Sequence, residues 1–126
     1  MPSTHHIINA DTLALMKPGV VLVNTSRGGL IDTAALINAL KSGQVAAAGL
    51  DVYEHEDKHF FKDGSVESFE FGGDELLATL LEQEGVLLTG HQAFLTREAL
   101  DNIAETTLRN LGDIEGKAAC TNEVRA

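Results

Sequence analysis

Val20-Val21-Leu22-Val23-Asn24-Thr25-Ser26-Arg27-Gly28-Gly29 decides the fold. Four apolar, mostly β-branched residues suit a short strand, a polar run follows, and the glycine pair turns the chain. The same order recurs twice. Ala46-Ala47-Ala48-Gly49-Leu50 runs into Asp51-Val52-Tyr53-Glu54-His55-Glu56, and Val86-Leu87-Leu88 runs into Thr89-Gly90-His91-Gln92. Helical stretches lie between these runs, and strands alternating with helices predict a parallel α/β sheet covered on both faces. In such sheets ligands bind in the crevice beyond the carboxyl ends of the strands. Arg27, Glu56 and His91 are therefore predicted to gather along one edge. A fixed cation, a carboxylate and an imidazole together can bind an anionic substrate and move a proton.

The helices follow from their caps. Asn9 or Asp11 can open a short helix through Met16, which Pro18-Gly19 ends. The first strand covers residues 20–25. Asp32 suits the N-cap of a helix to about Ser42, with Gly43 just beyond its end. The second strand spans Val45 to Val52. Asp74 opens a helix to about Gln83, and Gly85 precedes the third strand. Thr96 caps a last helix whose Leu100, Ile103, Ala104, Thr107, Leu108 and Leu111 form one apolar stripe, a core face. Residues 112–126 read as a polar tail. The segment Glu54–Gly73 is long for a connector, which suggests a functional or capping excursion anchored by Phe60, Phe61, Phe69 and Phe71.

Composition removes several classes of function. At 126 residues and 44% hydrophobic content, the chain is one domain or part of one. Nine basic against nineteen acidic residues give a net charge of −10, which argues against nucleic acid as a partner. No apolar run approaches the ~18 residues of a membrane span. The first residues lack the order of a signal peptide. The lone Cys120 cannot form an internal disulfide, which is compatible with a cytoplasmic protein. No Cys/His cluster has metal-ligand spacing, so no metal is expected. Adjacent His5 and His6 would point apart on a strand, and His55 and His59 fall in a charged loop. Glu54 and Asp57 fit a solvated acidic turn. No Gly-x-Ser-x-Gly elbow supports a serine hydrolase. No Gly-x-Gly-x-x-Gly turn follows a strand, so the pyrophosphate-binding half of a dinucleotide fold is absent from these residues. The chain reads as the second half of a doubly wound domain.

Asn24–Asp32 (NTSRGGLID), Asp51–Glu56 (DVYEHE) and Gly90–Phe94 (GHQAF) resemble the three C-terminal signatures of NAD-dependent D-2-hydroxyacid dehydrogenases. Phe60-Phe61-Lys62-Asp63 and the run from His91 to Thr96 are similar to the fermentative D-lactate group within that family. The resemblance extends from Pro2 to about Glu123. It implies a C-terminal half of a doubly wound parallel-sheet (Rossmann-type) NAD-binding domain over residues 1–126. A terminal crossover helix and tail would occupy about 96–126, and the substrate domain and the glycine-rich half would be absent. It also implies a cytoplasmic homo-oligomer, with NAD as cofactor and a small 2-oxo or 2-hydroxy acid as substrate. Neither nucleic acid nor a membrane is implied as a partner.

Residue roles carry over by position in the matching motifs. Arg27 matches the arginine that binds the substrate carboxylate, and His91 matches the general acid. Glu56 matches the glutamate that hydrogen-bonds that histidine. Asp51 matches a residue that meets the nicotinamide carboxamide, and Thr25, Ser26 and Arg27 match further cofactor contacts. Thr4 falls where the family often has a polar cofactor contact. Phe94 matches a bulky position lining the small-substrate pocket. Two alternatives share the fold: a sister enzyme for a larger 2-oxo acid, and a non-enzymatic NAD(H) sensor or scaffold. Arg27, Glu56 and His91 together disfavour the second, because a scaffold needs no proton donor.

Elementary chemistry agrees with these assignments. A guanidinium fork matches a planar carboxylate bidentately, which an ammonium cannot. Hydride attack on a ketone generates an alkoxide, so a proton must arrive from a group that titrates near neutrality. Histidine suits that task, and a nearby carboxylate keeps the imidazolium populated.

Overall fold

In the computed structural model, residues 2–56, 73–116, 119–120 and 122–124 are described. The chain divides into two units, Met1–Gln92 and Ala93–Ala126. In the first unit three parallel strands, β1 (Val20–Asn24), β2 (Val45–Leu50) and β3 (Val86–Leu88), lie in the order β1-β2-β3. Between them run α2 (Thr33–Lys41) and α3 (Glu75–Leu81), and α1 (Ala10–Ala14) precedes β1.

The caps lie where the sequence predicts them. Asn9 starts α1 by accepting from the amides of Asp11 and Thr12, and the Thr12 hydroxyl accepts from the Asn9 amide. Helix α1 stops two residues before Met16, because Gln44 intervenes. Its side-chain amide donates to the carbonyls of Leu13 and Met16, both at 2.9 Å, and occupies the orphan acceptors at the helix end. Asp32 caps α2 through the Ala35 amide, and Gly43 follows in the left-handed region at φ 77°.

Both steps across the sheet, β1 to β2 and β2 to β3, go in the same direction. Right-handed crossovers then put α2 and α3 on the same face. Leu13, Leu36, Ile37, Val45, Ala48, Leu50, Leu77 and Leu80 fill the core on that side. Burial of each large aliphatic side chain there contributes about 1.5–3 kcal/mol. The other face differs from the expectation of a sheet covered on both sides. Val21, Val23 and Leu87 are 60%, 74% and 66% exposed, and Val23 and Leu87 flank Gly49 in register. Among the described residues, only one face of the sheet is covered.

The four phenylalanines of the 54–73 excursion lie outside the described residues. Its two ends are tied together. Tyr53 is 2% exposed and its hydroxyl donates to the Asp74 carboxylate at 3.0–3.1 Å, while Asp74 also caps α3 through the Leu77 amide. Burial, reinforced by the hydrogen bond and charge of Asp74, raises the Tyr53 phenol well above its usual pKa.

The second unit is built on α4 (Arg97–Glu115), opened by Thr96 through the Ala99 amide. The helix continues past Leu111, where the sequence suggested a tail, because a glycine inside a helix costs only about 1 kcal/mol relative to alanine. No side chain of α4 is buried. The expected core stripe is open, with Leu100, Ile103, Leu108 and Leu111 between 45% and 70% exposed.

Candidate active site

Three chain segments converge where β1, β2 and β3 end. At the end of β1, Asn24 is 7% exposed and builds the turn that follows. Its amide nitrogen donates to the Arg27 carbonyl at 2.9 Å, and its side-chain oxygen accepts from the Ser26 amide at 3.1 Å. This local loop of hydrogen bonds presents Thr25, Ser26 and Arg27 to solvent. The Arg27 guanidinium donates to the Ser26 carbonyl at 2.7 Å and makes no ion pair among the described residues. Its positive charge is therefore not neutralised within the described residues.

Gly28 is required by a close approach. A Cβ at that position would lie 2.0 Å from the carbonyl carbon of Tyr53, so only glycine lets the β1 turn seat against the segment after β2. That segment carries Glu56, whose Oε2 accepts from the Tyr53 amide at 3.2 Å. Its other oxygen, Oε1, lies 3.1 Å from His91 Nδ1, which is itself shielded from solvent. The carboxylate and the imidazole therefore lie side by side, with Nδ1 toward Glu56 and Nε2 on the opposite side of the ring.

His91 sits in the left-handed region at φ 53°, a conformation that costs a residue with a Cβ about 1–2 kcal/mol. Such strain concentrates at functional sites. Asp51 braces the turn. Its backbone oxygen accepts from the His91 amide at 2.7 Å, and its carboxylate is 4% exposed. Oδ1 of that carboxylate accepts from the Thr89 hydroxyl at 2.5 Å and from the Gln92 amide at 3.0 Å.

Glu54 differs from the solvated turn that the sequence suggests. Its side chain is 12% exposed, with Oε2 at 3.1 Å from His6 Nε2 and Oε1 at 3.4 Å from His55 Nε2. His5 and His6 do not point apart either, because a turn and not a strand carries them. Their rings stack at 3.8 Å, with His6 at φ 51°. The His6 amide donates to the Gly29 carbonyl at 2.9 Å, which brings the segment carrying half-buried Thr4 beside the β1 turn. Phe94 belongs to the second unit and is 53% exposed.

Asn24, Thr89, Gln92, Glu54 and His6 make contacts at the strand ends that the sequence reading missed. A strand-final Asn before a polar run is a signal for the side-chain turn that Asn24 makes. The partners of Thr89 and His6 are distant in sequence and leave no local signal. Among the described residues, no cluster of three or more His, Cys, Asp or Glu side chains is arranged to hold a metal, and no helix is long and apolar enough to cross a membrane.

Residues 1–93 match the family model of the D-isomer specific 2-hydroxyacid dehydrogenase NAD binding domain. A 2-hydroxyacid dehydrogenase homolog of Haemophilus influenzae is 49% identical over 123 residues, which are 98% of this chain and 36% of that protein. The D-lactate dehydrogenase of Escherichia coli is 46% identical over 123 residues, again 98% of this chain and 36% of the relative. Among solved structures, D-lactate dehydrogenase with NAD+ from Lactobacillus jensenii superimposes with a TM-score of 0.85 at 32% identity, over 100% of this chain and 37% of that one. The chain belongs to the D-2-hydroxyacid dehydrogenase family and carries the α/β architecture of its NAD-binding domain. It spans a little over a third of the length of the relatives it matches.

Proposed function

We propose that this chain is the C-terminal part of the NAD-binding domain of an NAD-dependent D-lactate dehydrogenase, which reduces pyruvate. The observation that carries the reading is the His91–Glu56 pair, 3.1 Å apart at the carboxyl ends of a parallel sheet. Arg27 pairs with the pyruvate carboxylate and fixes the keto group. His91, as the imidazolium, gives its Nε2 proton to the carbonyl oxygen as that oxygen becomes an alkoxide. Glu56 fixes the ring orientation through Nδ1 and compensates the imidazolium charge. When bound, NADH supplies the hydride that ends on C2 of the keto acid. In the reverse direction His91 takes the proton back from the hydroxyl.

The residues present fit one end of that cofactor. The exposed Thr25 and Ser26 and the Asp51 carboxylate stand at the ends of β1 and β2, where they suit a nicotinamide carboxamide. Thr4 and Arg27 would flank them. The 126 residues contain no glycine-rich turn for the pyrophosphate. Expressed by themselves they are expected to turn over no pyruvate and to show no NADH binding by fluorescence titration at micromolar concentrations. Turnover by the isolated 126 residues would contradict this. The same reading places the whole protein in the cytoplasm as a homo-oligomer with no nucleic acid or membrane partner.

The test is a chimera in which this chain replaces the matching 123 residues of the Escherichia coli relative. It should oxidise NADH with pyruvate, prefer pyruvate to 2-oxoisocaproate and phenylpyruvate, and form D-lactate. Preference for either larger acid would favour a sister enzyme, and no turnover with any 2-oxo acid would contradict the reading.

Two variants of the chimera test single contacts. Glu56→Gln removes the anion that lies 3.1 Å from Nδ1 and compensates the imidazolium charge, so kcat for pyruvate reduction should fall while KM for pyruvate changes little. An unchanged kcat would remove Glu56 from this role. Phe94→Ala should enlarge the space beside the substrate methyl group. Relative kcat/KM should then shift toward 2-oxoisocaproate by about 1–3 kcal/mol of discrimination. An unchanged ratio would take Phe94 out of the pocket.

A further inference from the structure

We infer that Thr89 is a positioning residue for the reaction, acting on His91 through Asp51; this rests on the dehydrogenase reading above. The Asp51 carboxylate is buried, and Oδ1 receives the Thr89 hydroxyl at 2.5 Å and the Gln92 amide at 3.0 Å. Those two donors bracket His91 in sequence. Backbone bonds reinforce them, from the Thr89 amide to the Leu50 carbonyl at 2.8 Å and from the His91 amide to the Asp51 carbonyl at 2.7 Å. Held at 89, 91 and 92, the chain keeps His91 at φ 53°, and from there the ring meets Glu56 at 3.1 Å.

The Thr89 hydroxyl donates to the Asp51 carboxylate. It orients the carboxylate, and the carboxylate holds the Gln92 amide on the far side of the catalytic residue. A donor to an ionised acceptor makes a short, strong hydrogen bond, and valine has the shape of threonine without that donor. Removing the hydroxyl takes away one of the donors that orient the Asp51 carboxylate and so loosens the turn around His91, while Arg27 lies on the separate β1 loop.

The experiment compares Thr89→Val, Thr89→Ala and Thr89→Ser in the chimera, with rates normalised to folded protein. Thr89→Val and Thr89→Ala should lower kcat by about 10²-fold and change KM for pyruvate by less than about threefold, because misplacing a proton donor by ~1 Å affects the chemical step more than binding. Thr89→Ser should restore kcat. A role confined to stability would lower the unfolding temperature and leave normalised kcat unchanged, which would overturn the proposal. If the chimera with Thr89 intact is inactive, the dehydrogenase reading fails, and crystal structures decide the positioning claim separately. Residue 91 leaving the left-handed region in Thr89→Val, with a longer Nδ1–Glu56 distance, supports it. Unchanged geometry overturns it.

Discussion

His91→Gln in the chimera is expected to lower kcat for pyruvate reduction by about 10²–10⁴-fold, the usual contribution of general acid catalysis. Glutamine keeps a hydrogen-bonding side chain, so binding of pyruvate and NADH should suffer far less than turnover. It has no proton to give at neutral pH, and water would have to protonate the alkoxide instead. The loss should persist at every pH, because the glutamine side chain does not titrate in this range. Steady-state kinetics between about pH 5 and 9 check this. A His91→Gln enzyme at wild-type rate anywhere in that range would place the proton donor elsewhere.

Arg27→Lys should damage binding more than chemistry. Lysine keeps the positive charge and loses the planar fork, so one of two parallel hydrogen bonds to the substrate carboxylate disappears. A hydrogen bond to a charged group is worth about 1.5–3 kcal/mol, so KM for pyruvate should rise by about 10–100-fold. Affinity for NADH, measured by fluorescence titration, should change much less. Equal losses for substrate and cofactor would mean that Arg27 serves mainly the cofactor. The exposed position of Arg27 and its lack of an ion pair among the described residues favour the substrate role.

Local signals made most of the architecture legible. The strand at 20–24, the Asp32, Asp74 and Thr96 caps and the positive φ of Gly43 all depend on residues a few positions apart. The joint between Glu56 and His91 was legible because parallel strand ends must converge. What escaped depends on contacts between distant segments. Gln44 closes the end of α1 across 28–31 residues, and His6 meets Glu54 across 48. Nothing in either neighbourhood announces these pairs. The open sheet face is a different kind of miss. Val20–Val23 is apolar throughout and so marks neither face as open, and the handedness of successive crossovers determines which face α2 and α3 cover.

The most direct measurement is a crystal structure of the chimera with NADH and oxamate, a non-reactive mimic of pyruvate. Arg27 should grip the oxamate carboxylate through two guanidinium nitrogens. His91 Nε2 should lie within hydrogen-bond reach of the oxygen that stands for the keto group, with Nδ1 still on Glu56. An oxamate carboxylate held by another residue, or an imidazole turned away from the inhibitor, would contradict the account.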